Sequence, residues 1–133
     1  MSVADNTIAL LCPPVDLLIL NGLEEAQGDG EPDLVVELID LYLEDAPRRL
    51  AVMSEALGNV DGVLLARAAH ALKGSSATLG AGQVAETCAE LELLAAGFLL
   101  PEMAFVFARL PQELETLRNI FLIERQKRSD RMK

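Results

Sequence analysis

The 133-residue chain predicts an all-α fold: an up-down antiparallel four-helix bundle with a short additional N-terminal helix. Three observations predict it. Apolar residues recur at spacings of three and four over long stretches. No stretch alternates apolar with polar for long enough to suggest a half-buried strand. Gly, Asn and Pro punctuate the chain where short helix-to-helix loops are needed. With 51% hydrophobic residues the chain has material for one core. A domain of this size buries roughly two-thirds of its extended-chain surface, so it needs no disulfide or structural metal.

The bundle is expected over residues 15–122, between an N-terminal tail (1–14) and a basic C-terminal tail (123–133). A short first helix spans about Val15 to Gln27, and Gly28-Asp29-Gly30 breaks it before Pro32, which suits a helical first turn. The second runs from Asp33 to Leu57, with Val35, Leu38, Ile39, Tyr42, Ala46, Leu50, Met53 and Leu57 as its core stripe. Pro47 interrupts that stripe and predicts a bend near Leu43, whose carbonyl meets its ring. Gly58-Asn59 ends the helix, and Asp61 is an N-cap for a third that reaches Leu79. After Gly80 and Gly82, a fourth helix from Gln83 to Ala96 carries Val84, Cys88, Leu91 and Ala95 on one face, and Gly97 closes it. Pro101 opens the last, striped by Met103, Val106, Phe107, Leu110, Leu114, Leu117 and Phe121, with a second bend at Pro111.

Charge and cysteine usage exclude several functions. A net charge of -10 and a pI near 4.4 repel phosphate backbones, so no nucleic-acid partner is expected. Two cysteines without a CxxC spacing and a single histidine argue against a zinc cage and for reduced thiols in a cytoplasm. Pro13-Pro14 and Asp16 interrupt the apolar run Ile8 to Leu11, so neither export nor a membrane span is expected. Five of the eleven basic residues, Arg125, Lys127, Arg128, Arg131 and Lys133, crowd into the last ten positions, which read as a solvated, frayed terminus.

The third helix holds the one histidine. At about 100° per residue, Leu65, Ala69, Leu72, Ser76 and Leu79 form its buried stripe. Arg67, His70, Gly74 and Ala77 lie nearly opposite, flanked by Ala66 and Lys73, so His70 points to solvent within a collar of small or cationic neighbours. Gly74 costs about 1 kcal/mol relative to Ala in a helix interior, and close approach by another macromolecule would explain it. A free imidazole titrates near 6.5, so in neutral solution such a ring offers a nucleophilic nitrogen. Phosphoryl transfer needs beyond that in-line positioning and nearby positive charge, which Lys73 can supply one turn along. Spacing alone leaves an inconsequential surface histidine equally open.

The string His70-Ala-Leu-Lys73-Gly74-Ser75-Ser76-Ala-Thr-Leu79-Gly80-Ala81 resembles the signature of histidine-containing phosphotransfer (HPt) domains. The likeness extends to Leu41-Tyr42-Leu43-Glu44-Asp45-Ala46-Pro47, where the family usually has Phe at the Tyr42 position, and to Cys88-Ala-Glu-Leu91-Glu92, covering about residues 15–122. The resemblance implies that His70 takes a phosphoryl group on Nε2 from a receiver-domain aspartyl phosphate, or from a hybrid histidine kinase, and passes it to the receiver domain of a response regulator. It implies that Lys73 lies beside that group, that Gly74 lets the receiver approach, and that Glu92 hydrogen-bonds the imidazole. A contact at Nδ1 would fix the tautomer that leaves Nε2 free. Ala66, Arg67, Gly74 and Ala77 form the expected docking collar. Ser75 and Ser76 are read as packing and back-bonding residues.

Other motifs carry less. Gly80-Ala-Gly82-Gln-Val-Ala85 fits a loose dinucleotide pattern but follows a helix instead of a strand, and Lys73-Gly74-Ser75 reverses the phosphate-loop order. Ala71 stands where a sensor kinase's dimerisation helix has an acidic residue after its histidine. The competing class is a helical adaptor that docks a receiver or kinase domain without being phosphorylated. It would have no need of His70 and Lys73. The expected protein is therefore a monomeric, cytoplasmic, stoichiometric phosphoryl carrier in two-component signalling, without autokinase activity. It should have no cofactor of its own, and the Mg²⁺ required for exchange should be held by the receiver.

Overall fold

The computed structural model describes residues 13–27 and 33–131. They form six helices and no strand: α1 (Leu17–Gln27), α2 (Leu34–Gly58), α3 (Gly62–Thr78), α4 (Gly82–Ala96), α5 (Leu100–Phe107) and α6 (Leu110–Arg131). Cys12, the Gly28-Asp29-Gly30 break and the Pro32 first turn lie outside the described residues. Helix α2 packs on α3, α3 on α4, α4 on α6 and α6 on α2, which closes a bundle around one core, with α1 against α2 and α5 against α4. Three residues link α2 to α3 and three link α3 to α4. Such links span only about 10 Å, far short of the length of either helix, so these packed neighbours run antiparallel.

The chain's own side chains cap the helices. Asp33 accepts from the Val35 and Val36 amides at the start of α2, and Asp61 from the Leu64 amide (3.0 Å) at the start of α3. Helices α2, α3 and α4 end alike. In each a left-handed residue follows the helix, and the next amide reaches back five residues: Asp61 N to Ala56 O (2.8 Å), Ala81 N to Ser76 O (2.8 Å) and Leu99 N to Leu94 O (3.0 Å). At the end of α3 that residue is Gly80 (φ 77°), and a Cβ there would lie 2.6 Å from the Asp16 carbonyl oxygen. The Asp16 amide in turn donates to Gly80 O (2.8 Å), pinning the start of α1 to this turn. The other two positions hold Val60 (φ 55°) and Phe98 (φ 56°). For residues other than glycine this backbone region costs roughly 1–2 kcal/mol each.

The core follows the expected stripes. Leu65, Ala69, Leu72, Ser76 and Leu79 of α3 and its exit turn are buried, as are Val35, Ile39, Tyr42, Ala46 and Met53 of α2 and Val84, Cys88, Leu91 and Ala95 of α4. Phe121 is fully buried and meets the Tyr42 ring edge-on, with centroids 5.5 Å apart.

Two expectations are corrected. The single last helix is two, because Pro111 has no amide to donate and in a continuous helix its ring would strike the Phe107 carbonyl. The chain therefore stops at Phe107, turns through the Arg109 N to Val106 O bond (3.1 Å), and restarts with Pro111 in the first turn of α6. Pro47, by contrast, is carried inside the uninterrupted α2. The second correction concerns the basic tail, which is not frayed after residue 122: α6 runs to Arg131. Arg128 is only 2% exposed, bonded to Glu124 Oε1 (3.0 Å) and to Asn21 Oδ1 of α1 (3.3 Å), while Arg131 pairs with Glu24 (2.9 Å). Helix α1 supplies partners of Arg128 and Arg131, and Asp40 of α2 pairs with Arg125 (2.6 Å).

Candidate functional site

Burial of one stripe of α3 turns the opposite stripe outward. The His70 side chain is 71% exposed. From the neighbouring α4, Glu92 reaches under it. Its Oε2 lies 3.1 Å from His70 Nδ1, and its Oε1 lies 2.6 Å from Lys73 Nζ, a meeting of charges more than an aligned hydrogen bond. Burial pushes the Glu92 carboxyl up, but the Lys73 ammonium and then the His70 ring outweigh that and hold it below its ordinary value. An ionised carboxylate has no proton to give, so Nδ1 is the donor. That leaves Nε2 as the ring nitrogen with a lone pair, on the side without a partner among the described residues.

The docking collar named from the sequence is placed on one face. Arg67, Gly74 and Ala77 are exposed and Ala66 is half-buried. No carboxylate among the described residues pairs with Arg67, and a Cβ built on Gly74 meets nothing within 4 Å. Internal packing therefore does not call for a glycine at position 74. Ser75 back-bonds to the Leu72 carbonyl (3.2 Å). Ser76 instead meets the Tyr42 hydroxyl at 2.7 Å, so the phenol that replaces the family's Phe has a partner across the α2–α3 interface. Burial pushes the Tyr42 hydroxyl's pKa up, partly offset by Ser76, and burial likewise raises the Cys88 thiol to about 12. Cys88 therefore stays a protonated, inert core residue.

One link was missed from the sequence. The resemblance implies separate tasks for Lys73 and Glu92, toward a phosphoryl group and toward the imidazole, yet the Glu92 carboxylate contacts both Lys73 and His70. Spacing within one helix carries no signal for this, since it depends on how α4 registers against α3.

Residues 37–120 match the family model described as Hpt domain. The chain belongs to the Hpt-domain family. Histidine-containing phosphotransfer protein 2 of Arabidopsis thaliana is 39% identical over 69 residues, 50% of this chain and 44% of that protein. Histidine-containing phosphotransfer protein 1 of Oryza sativa subsp. japonica is 38% identical over 68 residues, 50% of this chain and 46% of that one. The chain thus spans about half the length of these relatives. Among solved structures, histidine-containing phosphotransfer protein B of Pseudomonas aeruginosa superposes with a TM-score of 0.80 at 30% identity, covering 86% of this chain and 96% of that one. A histidine-containing phosphotransfer protein of Medicago truncatula gives 0.76 at 26% identity, over 96% and 88%. The solved neighbours are helical like this chain. Among the described residues no helix is long and apolar enough to cross a membrane.

Proposed function

We propose that this Hpt domain carries a phosphoryl group on His70 between receiver-domain aspartates. The observation that carries the reading is the Glu92 contact at Nδ1 of an exposed imidazole, which leaves Nε2 to react. The Nε2 lone pair attacks phosphorus and the P–O bond to the aspartyl carboxylate breaks. Its electron pair leaves with that carboxylate. The ring, still protonated at Nδ1, becomes a phosphoimidazolium whose positive charge faces Glu92. A second receiver aspartate reverses the step, and the ring departs neutral. Lys73 exchanges its contact with Glu92 for the phosphoryl oxygens, supplying positive charge where negative charge gathers. Ala66, Arg67, Gly74 and Ala77 receive the partner, whose approach the bare Gly74 permits.

The partners are receiver domains of response regulators and hybrid histidine kinases, and Mg²⁺ is assigned to the receiver side. Among the described residues, no three His, Cys, Asp or Glu side chains gather as a metal-holding group. The protein acts as a monomeric cytoplasmic carrier without autokinase activity.

The test is label transfer from a phosphorylated receiver with Mg²⁺. The wild type should gain one acid-labile, base-stable phosphoryl group and His70→Gln none. Gly74→Gln should fold at least as stably as the wild type but accept phosphate far more slowly. Lys73→Ala should slow single-turnover transfer roughly ten-fold or more. Label retained by His70→Gln would refute the assignment, and a wild type that binds receivers without labelling would be a docking adaptor instead.

A further inference from the structure

The two non-glycine residues in left-handed backbone among the described residues, Val60 and Phe98, line the same groove of about 810 Å³ between the start of α3 and the end of α4. Both side chains stay open, at 46% and 57% exposure. Their turns need no side chain there, because the matching turn after α3 is made by Gly80 with the same hydrogen bonds. Glycine would relieve the backbone at both positions, yet each carries an apolar group into solvent. One edge of the Phe98 ring lies 3.4 Å from where a Cβ on Gly62 would stand, an ordinary contact distance, so the ring rests beside the start of α3. Exposed Val63 extends the apolar floor.

The groove is continuous with the histidine face. Arg67 and Glu92 line its near end, and Glu92 is the residue that holds His70 Nδ1. We infer that the Val60–Phe98 groove is the partner-selecting extension of the phosphotransfer surface, occupied by an apolar ridge of the receiver domain that exchanges phosphate with His70. The inference rests on the function proposed above. Continuity through Arg67 and Glu92 places the occupant on the same molecule that reaches the imidazole, and Arg67, which has no carboxylate partner among the described residues, favours a carboxylate on that partner beside the ridge. The strain is retained because the two side chains are used outside the fold.

The experiment measures receiver affinity, single-turnover transfer and direct labelling of His70 by phosphoramidate, a small donor that needs no docking surface. It compares Val60→Gly, Phe98→Gly and the wild type across a panel of purified receiver domains. Val60→Gly should keep or raise the thermal midpoint and leave phosphoramidate labelling unchanged. It should weaken binding of the preferred receiver about ten-fold and narrow the affinity gap between receivers. Phe98→Gly should act in the same direction on affinity. Affinities within two-fold of wild type for both variants overturn the inference while leaving the phosphotransfer reading intact. A Val60→Gly midpoint that falls by several degrees overturns it too, since Val60 then serves internal packing. If no receiver exchanges phosphate with wild-type His70, the phosphotransfer reading itself fails and takes the inference with it.

Discussion

Glu92 holds two cationic or proton-donating partners with one carboxylate, and that arrangement has a pH signature. Its carboxyl sits below the ordinary value of 4.5, burial being outweighed by Lys73 and then His70. Between the lowered value and 4.5 the unfolded chain binds more protons than the folded one, so stability rises with pH across that window. The contribution is complete above the ordinary value and is lost as pH falls through the lowered one. Glu92→Gln, which cannot titrate, should show a shallower acid limb in urea midpoint against pH. The same variant still offers an oxygen to Nδ1, so it should accept phosphate faster than Glu92→Ala, which loses orientation as well as charge. Identical acid limbs for wild type and Glu92→Gln would show that the carboxylate is not held by its partners. Equal transfer rates for the two variants would show that Nδ1 needs no orienting group. The residue types at this site were legible in the sequence, because a histidine, a lysine one turn on and a bare glycine share one helix face. Their joining through Glu92 was not, because it depends on the register between two helices.

At the scale of elements, α2 is tied to α3 by a buried polar pair inside an apolar interface. The Tyr42 hydroxyl and Ser76 Oγ are 2.7 Å apart, with Tyr42 4% exposed and Ser76 wholly buried. Removing one partner leaves the other desolvated and unbonded, which costs about 1–3 kcal/mol, whereas removing both together comes closer to neutral. Tyr42→Phe and Ser76→Ala should therefore each destabilise by about 1 kcal/mol or more, and the double variant by less than their sum. Urea denaturation of the four proteins in this cycle measures the coupling. Strict additivity would mean that the hydroxyls contribute nothing as a pair. Helix positions and their buried faces were legible because periodicity of three and four survives every local exception, Pro47 included. At Pro111 the sequence pattern implies a bend, where the chain instead breaks after Phe107. A proline kinks or stops a helix according to whether the remaining contacts of that turn hold, and those contacts belong to α4 and the core, not to the local string.

At the scale of the whole molecule, helices α1 and α6 close on each other through charge. Arg128 is nearly inaccessible, yet it meets Glu124 at 3.0 Å, Asn21 at 3.3 Å and Glu24 at 3.7 Å. Burial pushes the Glu124 carboxyl up, but Arg128 and then Lys127 hold it below its ordinary value. A solvated tail was the natural reading of five basic residues among the last ten, since nothing local marks Arg128 as buried; its cover comes from α1, roughly a hundred positions earlier. Buried pairs of this kind lose 3–5 kcal/mol when one member is removed, because a charge is left desolvated and alone, while replacing both by apolar groups is often neutral. Arg128→Ala should thus lower stability by about 3 kcal/mol and raise the Glu124 carboxyl, whereas Glu124→Leu with Arg128→Met should recover most of the loss. His70 draws on neither α1 nor α6 for its contacts, so phosphoramidate labelling of the folded protein should be unchanged in both variants. An Arg128→Ala protein as stable as the wild type would mean that α1 rests on α6 without help from this charge cluster. A loss of labelling in a folded Arg128→Ala protein would instead mean that the closure of α1 on α6 sets the geometry of the α3–α4 site.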